Sequence, residues 1–165
     1  MSHLLNDQFA CWPTGSTTAA LIAILHQITV MLRTNSYVTL ISLDFSKAFD
    51  TVRHDTFAEK LSGLDIQDNV YNWLINFLKD RKHVTRFKGR TPSSADINAS
   101  FVQGSGVGPS SYDINASDLQ PVHSANRLIK YADDTYLLVG SEMRGASTRC
   151  RLGGTQQSPT ECWQV

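Results

Sequence analysis

The stretch "LIKYADDTYLLVG", residues 128–140, constrains the fold of this chain more than any other. Leu128, Ile129 and Tyr131 make one short apolar run, and Tyr136, Leu137, Leu138 and Val139 make another. Runs of this length, rich in β-branched and aromatic residues, read as strands. Asp133 and Asp134 separate them, so the stretch predicts a β-hairpin with an acidic tip. A turn needs only one such residue. The pair is either a tip that caps its own backbone or a display of carboxylates for chemistry. The stretch alone leaves both readings open.

A third acid sharpens the choice. Asp44 ends the apolar run in "LISLDFSKAFDTV", and a carboxylate at the end of a strand sits at the rim of a core. One reading is a helix cap, with Asp44 or Ser46 capping a helix that contains "KAFDTV". The other gathers Asp44, Asp133 and Asp134 at one place, if the three strands share a sheet. Three close carboxylates repel one another. Mg²⁺ removes that cost, because it takes oxygen ligands and retains water and substrate phosphates. Two such ions ~4 Å apart stabilise both the attacking and leaving oxygens of an in-line phosphoryl displacement.

The rest of the chain frames this hairpin. Its 165 residues suit one domain, and its 41% hydrophobic content supports a core. No apolar run is long enough to span a membrane, and "MSHLLNDQFACWPTG" lacks the form of a secretory signal. Cys11, Cys150 and Cys162 have no metal-finger spacing, and their odd number fits a reducing compartment. Fifteen basic and fifteen acidic residues cancel, so net charge does not mark a nucleic-acid binder.

Local patterns supply the other elements. In "GSTTAALIAILHQITVMLRTN", Leu21, Ile24, Leu25, Ile28 and Leu32 have helical spacing, with Ser16 or Thr17 at the start and Asn35 at the end. "YVTLISLD" reads as a buried strand ending at Asp44. "TFAEKLSG" places Thr56 and Glu59 at capping-box spacing, with Gly63 as the stop. Val70, Trp73, Leu74, Phe77 and Leu78 form one helical stripe. "RKHVTRFKGR" reads as a strand, or half of a hairpin, with a basic face. "TPSSADINAS" is a loop, and Pro109 opens a short helix after a glycine-rich turn. His26 reads as a core or boundary residue, while His54, His83 and His123 lack metal spacing. Strands and helices with a hairpin predict an α+β fold. From Ser141 onward few apolar residues remain, so 141–165 is expected to be poorly structured.

"LISLDFSKAFDTV", "QGSGVGPSSYDINASDL" and "KYADDTYLLVG", in this order, resemble the central motifs of reverse transcriptases. The match is nearest to the polymerases of non-LTR (LINE-type) retrotransposons, and "DQFACWPTGSTTAALIAIL" resembles the finger segment that precedes those motifs. The resemblance covers 6–140 and implies a palm-like antiparallel sheet with packed helices, partial fingers and no thumb. It implies RNA-directed DNA polymerisation on an RNA template and a DNA primer, using deoxynucleoside triphosphates and Mg²⁺, with Mn²⁺ as a substitute. Asp44 and Asp133 would be the principal metal ligands, joined by Asp134 and the Phe45 backbone carbonyl.

Phe49, five residues beyond Asp44, falls where the family has an aromatic ring beneath the incoming sugar; packing into the core is the alternative. Gln103 and Gly104 match a pair that lines the nucleotide and template pocket. Arg81, Lys82, Arg86 and Lys88 suit contacts to nucleic-acid phosphates, or charges that protect an exposed strand. The implied setting is intracellular, cytoplasmic or nuclear, without a membrane.

The match departs from the family in places. Trp12 in "FACWP" stands where a basic residue is usual, and an indole cannot replace a guanidinium. Asp113 and Asn115 interrupt a segment that is usually more apolar; they either expose one helix face or weaken its packing. Basic finger strands, a later palm lysine motif and a thumb are expected to be missing, with the other retrotransposon domains. The alternative to an enzyme is therefore an inactive transposon remnant, at most binding nucleic acid.

Overall fold

The computed structural model describes residues 6–11, 13–45, 47, 49–86, 88, 93–102, 104–141 and 150–151. The chain divides into two compact units, one of 3–46 and 116–165, the other of 1–2 and 47–115. Helices and antiparallel strands combine in an α+β fold, as expected.

The first unit is built on a three-stranded antiparallel sheet of order β1-β6-β5. Its strands are β1 (Val38–Leu43), β5 (Arg127–Tyr131) and β6 (Asp134–Gly140). β6 lies in the centre, and five of its seven residues are buried. A strand covered on both faces reads as a continuous apolar run, which is the reason for "YLLV". Leu137 and Val139 pack with Leu43, Leu128 and Leu119. On the other face Leu138 and Ile129 meet Ile24 and Met31 of helix α1 (Thr17–Met31). Contrary to the expected buried strand, β1 is an edge strand of which only Leu43 is buried.

Ser16 caps α1 as expected, its Oγ accepting from the Ala19 N–H at 3.0 Å. The buried stripe differs from the expected one. Ala20, Ile24 and Met31 face inward, whereas Leu21, Leu25 and Leu32 are exposed. The helix is apolar nearly all round, so its spacing did not single out a side, and alanine allows closer approach to the sheet. His26 is exposed as well, not in the core. Strand β5 also gains a neighbour in the segment before α1. Gln8 forms a parallel bridge with Lys130, the Phe9 N–H donates to the Lys130 carbonyl at 2.8 Å, and the Lys130 N–H donates to the Asp7 carbonyl at 2.7 Å. The Lys130 ammonium, 2% exposed, pairs with Asp7 at 3.0 Å and donates to the Ala116 carbonyl at 3.0 Å. A buried ammonium without such partners would be costly.

The second unit holds α2 (His54–Ser62), α3 (Asp68–Leu78) and α4 (Gly108–Asn115) around Phe57, Leu61, Leu74, Leu78, Val52 and Phe101. Phe57 is wholly buried and meets Phe101 edge-on, with ring centres 5.0 Å apart. In the predicted stripe of α3, Leu74 and Leu78 are buried, but Val70 and Trp73 are exposed. The expected capping box is not used. α2 starts three residues earlier than an N-cap at Thr56 would set, at His54, whose N–H donates to the Asn98 carbonyl at 3.0 Å. Gly63 ends the helix with an ordinary negative φ. In α4, Asp113 is buried with Ser111 and Tyr112 rather than exposing a face, and Lys60 Nζ donates to the Asn115 carbonyl at the negative end of the helix.

The expected long basic strand is mostly absent among the described residues. Only β2 (Lys82–His83) pairs, antiparallel to β3 (Ala95–Asp96), which lies in the stretch read as a loop. Phe87 and Arg90 lie outside the described residues. So does most of the tail; within it β7 (Cys150–Arg151) pairs antiparallel with β4 (Gln120–Pro121). Among the described residues no helix is long and apolar enough to cross a membrane.

Candidate active site

The antiparallel register aligns the acids at the backbone level. β1 pairs with β6 from Val38↔Gly140 to Leu43↔Thr135. Asp44 follows Leu43 and Asp134 precedes Thr135, so both acids flank the last pair of the register at the same end of the sheet. Asp133 occupies the turn between β5 and β6, next to Asp134. All three carboxylates belong to the same unit, and all three residues are exposed. Among the described residues, none of the three side chains makes an ion pair or hydrogen bond. Among the described residues no backbone N–H meets the Asp44 side chain, and Ser46, the other expected cap, lies outside the described residues.

Behind the acids the strands are well fixed. Thr135, 2% exposed, donates from its hydroxyl to the Asp133 carbonyl at 3.5 Å. The Phe45 side chain packs against the cluster of Leu43, Leu119 and Leu137. This anchors the chain on the C-terminal side of Asp44, while Leu43 anchors it on the other.

The turn itself has an unusual backbone. Tyr131 pairs with Asp134, leaving a loop of Ala132 and Asp133. Ala132 has a φ of 53°, whereas Asp133 is not among the residues with positive φ. Positive φ at the first loop position alone is the pattern of a type II′ hairpin, which normally puts glycine there. A Cβ in that conformation costs roughly 1–3 kcal/mol and persists only where the surroundings hold it. They do. Gln8 Oε1 accepts from the Ala132 N–H at 2.9 Å, and Gln8 Nε2 donates to the Ala132 carbonyl at 3.3 Å. The sequence reading missed Gln8, whose one visible sign is its place in the finger-like segment.

Carboxylate oxygens are the donors that a hard divalent cation takes. Among the described residues no group of three His, Cys, Asp or Glu is gathered into a ready ligand set. Magnesium does not demand one, because it binds through one or two carboxylates together with water and substrate phosphates. Two exposed acids at the ends of neighbouring strands, with a third next in sequence to one of them, supply donors of that kind.

The other expected site residues lie in the second unit. Phe49 is half-buried against its core, with its ring centre 5.0 Å from that of the buried Tyr112. The Phe49 carbonyl accepts from the Phe101 N–H at 3.0 Å. Gln103 lies outside the described residues. Gly104 is exposed with a φ of 78°, and a Cβ there would meet nothing within 4 Å. Its requirement for glycine is conformational, not spatial. The basic residues do not form one face. Arg81 lies 5.0 Å from the centre of the Phe77 ring and donates to the Phe77 carbonyl at 3.2 Å. Lys82 pairs with Asp96 at 3.7 Å, while Arg86 and Lys88 are exposed.

Comparison with known proteins bears on the fold and the family. No curated protein matches the chain. Among solved structures it is similar to telomerase from Candida tropicalis in complex with the TWJ fragment of telomeric RNA. That match has a TM-score of 0.64 at 15% identity and covers 86% of this chain. A second is the apo telomerase of the same organism truncated from its C-terminal domain, with a TM-score of 0.58, 14% identity and 82% of this chain covered. The chain spans 26% and 30% of the length of those two proteins. At such identities the likeness speaks for the fold. The family model described as reverse transcriptase (RNA-dependent DNA polymerase) matches residues 2–152. With nearly the whole chain matched, this protein belongs to the reverse transcriptase family.

Proposed function

We propose that this chain carries the catalytic acids of an RNA-directed DNA polymerase, extending a DNA primer along an RNA template with deoxynucleoside triphosphates. The observation that carries the reading is the register: the pairing of β1 with β6 ends at Leu43↔Thr135, so Asp44 just after one strand and Asp133 and Asp134 at the start of the other lie at the same exposed end of one sheet. Asp44 and Asp133 are the principal holders of Mg²⁺, with Mn²⁺ as a substitute, supported by Asp134 and the Phe45 backbone carbonyl. When bound, divalent ions stabilise the attacking and leaving oxygens of phosphoryl displacement. The contribution of the protein is to hold these carboxylates at one end of strands whose far sides are locked in apolar packing.

Other parts of the proposal rest on the family resemblance. Phe49 is the ring that discriminates against a ribose 2′-hydroxyl, and Gln103 and Gly104 serve the nucleotide. Arg81, Lys82, Arg86 and Lys88 contact phosphates, which position nucleic acid without reading its sequence. The order of the motifs supports an origin in a non-LTR retrotransposon, and the substrates support an intracellular place of action, cytoplasmic or nuclear.

A second reading has an observation of its own. The absence of a gathered three-residue ligand set among the described residues favours an inactive remnant that at most binds nucleic acid. Primer extension on an RNA template with Mg²⁺ or Mn²⁺ separates the two. The parent chain is expected to extend the primer. Asp133→Asn is expected to abolish extension while circular dichroism stays unchanged. Equal extension by parent and mutant would sink the assignment of Asp133. No extension by a folded parent would favour the remnant.

A further inference from the structure

The turn that presents Asp133 and Asp134 carries backbone strain that its own sequence does not relieve with a glycine. Its first residue, Ala132, adopts a φ of 53° that glycine would adopt freely. Both backbone polar groups of Ala132 meet one side chain, the Gln8 carboxamide, at 2.9 Å from the N–H and 3.3 Å from the carbonyl. Gln8 Oε1 also accepts from the Ala10 N–H at 3.0 Å. Two N–H donors converging on one atom identify it as the oxygen, which fixes the orientation of the amide.

Gln8 itself is held firmly. It is 5% exposed and its backbone bridges Lys130. On either side, Asp7 and Phe9 exchange hydrogen bonds with the Lys130 backbone at 2.7 and 2.8 Å. Asp7 further pairs with the Lys130 ammonium at 3.0 Å. The carboxamide therefore reaches the turn from a backbone already tied to β5, and it has little freedom to leave.

We infer that Gln8 is the positioning residue of the acidic turn. Its amide holds Ala132 in the positive-φ conformation and so fixes the direction in which the following two carboxylates leave the sheet. The residue touches the turn and not the reacting atoms. Asparagine is one methylene too short for the same span. Glutamate can accept from both N–H groups but cannot donate to the Ala132 carbonyl. The holding of the turn stands on this geometry alone; its consequence for catalysis rests on the proposed polymerase reading.

The test is amide hydrogen exchange by NMR on the full chain, combined with primer extension. Gln8→Met keeps the length of the side chain and removes its polar atoms. It is expected to speed exchange at Ala132 and Ala10 at least tenfold, with the amides of Leu137 and Leu138 unchanged. Adding Ala132→Gly is expected to restore most of any loss in melting temperature, because glycine needs no clamp. Extension is expected to follow, with kcat lowered by Gln8→Met, KM for nucleotide unchanged, and kcat recovered in the double variant. Unchanged exchange at Ala132 in Gln8→Met, or strictly additive effects of the two substitutions, overturns the inference. Should Gln8→Met not fold, Gln8→Glu is the second variant. It retains the acceptor, so the Ala132 amide is expected to stay protected, and fast exchange there overturns the inference equally. Exchange that behaves as expected in a chain that extends no primer sustains the positioning role and sinks the polymerase reading.

Discussion

The two units of this chain organise their residues in opposite ways. In the sheet unit, long-range pairing brings together what is distant in sequence, and the strand that leads into Asp44 comes to lie beside the one that starts at Asp134. In the helical unit the main contacts form an apolar core, while the basic residues go separate ways, Arg81 to an aromatic ring and Lys82 to Asp96. Position is fixed by pairing in the first unit and by burial in the second. The lesson concerns function: chemistry that needs several groups at one place is carried by the unit in which register, rather than packing alone, sets the place. A register error of one residue would turn Asp44 to the other face.

Substitutions that remove each kind of support test this contrast. The largest loss is expected in the helical unit. Phe57 is fully buried against Phe101, and Phe57→Ala removes a large ring and leaves a cavity. It should cost roughly 3–5 kcal/mol, read as a lower midpoint in urea. In the sheet unit the corresponding support is polar. Asp7→Ala leaves the Lys130 ammonium, 2% exposed, without its carboxylate. Breaking a buried pair costs roughly 3–5 kcal/mol. The lower end is expected, because Asp7 is 19% exposed and the Ala116 carbonyl still accepts from the ammonium. Adding Lys130→Met should recover part of the loss, since an apolar side chain suits the site once the pair is gone. If the double variant is no more stable than Asp7→Ala, the strap at 7–9 is held by its backbone bonds alone, and the contrast weakens.

What the sequence disclosed follows the same division. The hairpin was legible because its pairing is local and its strands carry their own apolar pattern. That β1, the strand ending just before Asp44, joins it was legible only as a condition, since nothing between residues 44 and 133 states which strands pair or in which register. The turn type was illegible. Hairpin rules look for glycine at the first loop position, and here an alanine is held by a side chain 124 residues away. α1 was found but its buried side was misjudged, because apolar residues surround the helix and two small alanines, not its leucines, face the sheet or its margin. The basic stretch read as a strand by its alternation, yet in that stretch only Lys82 and His83 pair. The start of α2 was set by Asn98, a residue far along the chain, which overrode the local spacing of Thr56 and Glu59.

The smallest expected effect concerns a feature that resembles the buried pair but lies at the surface. Arg53 and Asp55 form a two-bond contact, with Nη2 to Oδ2 at 2.6 Å and Nε to Oδ1 at 3.1 Å. The Arg53 hydrogen bonds, helped by the Thr56 backbone N–H, hold the Asp55 carboxyl below its ordinary value of 3.8. A carboxyl with a lowered value in the folded state adds stability above its unfolded value. That stability fades as the pH falls below about 3.8 and is gone once the lower folded value has been passed. Both groups are exposed to solvent, so water and salt screen the contact. Melting curves of the parent and Asp55→Asn should therefore differ slightly at pH 7 in low salt, and the gap should narrow as the pH falls below about 3.8 or in 1 M salt. A gap that persists in high salt would mean that Asp55 acts mainly through its bond to the Thr56 N–H at the start of α2. The surface pair would then belong with the positional supports of the sheet unit, and the contrast between the units would need to be redrawn around hydrogen bonds rather than around register.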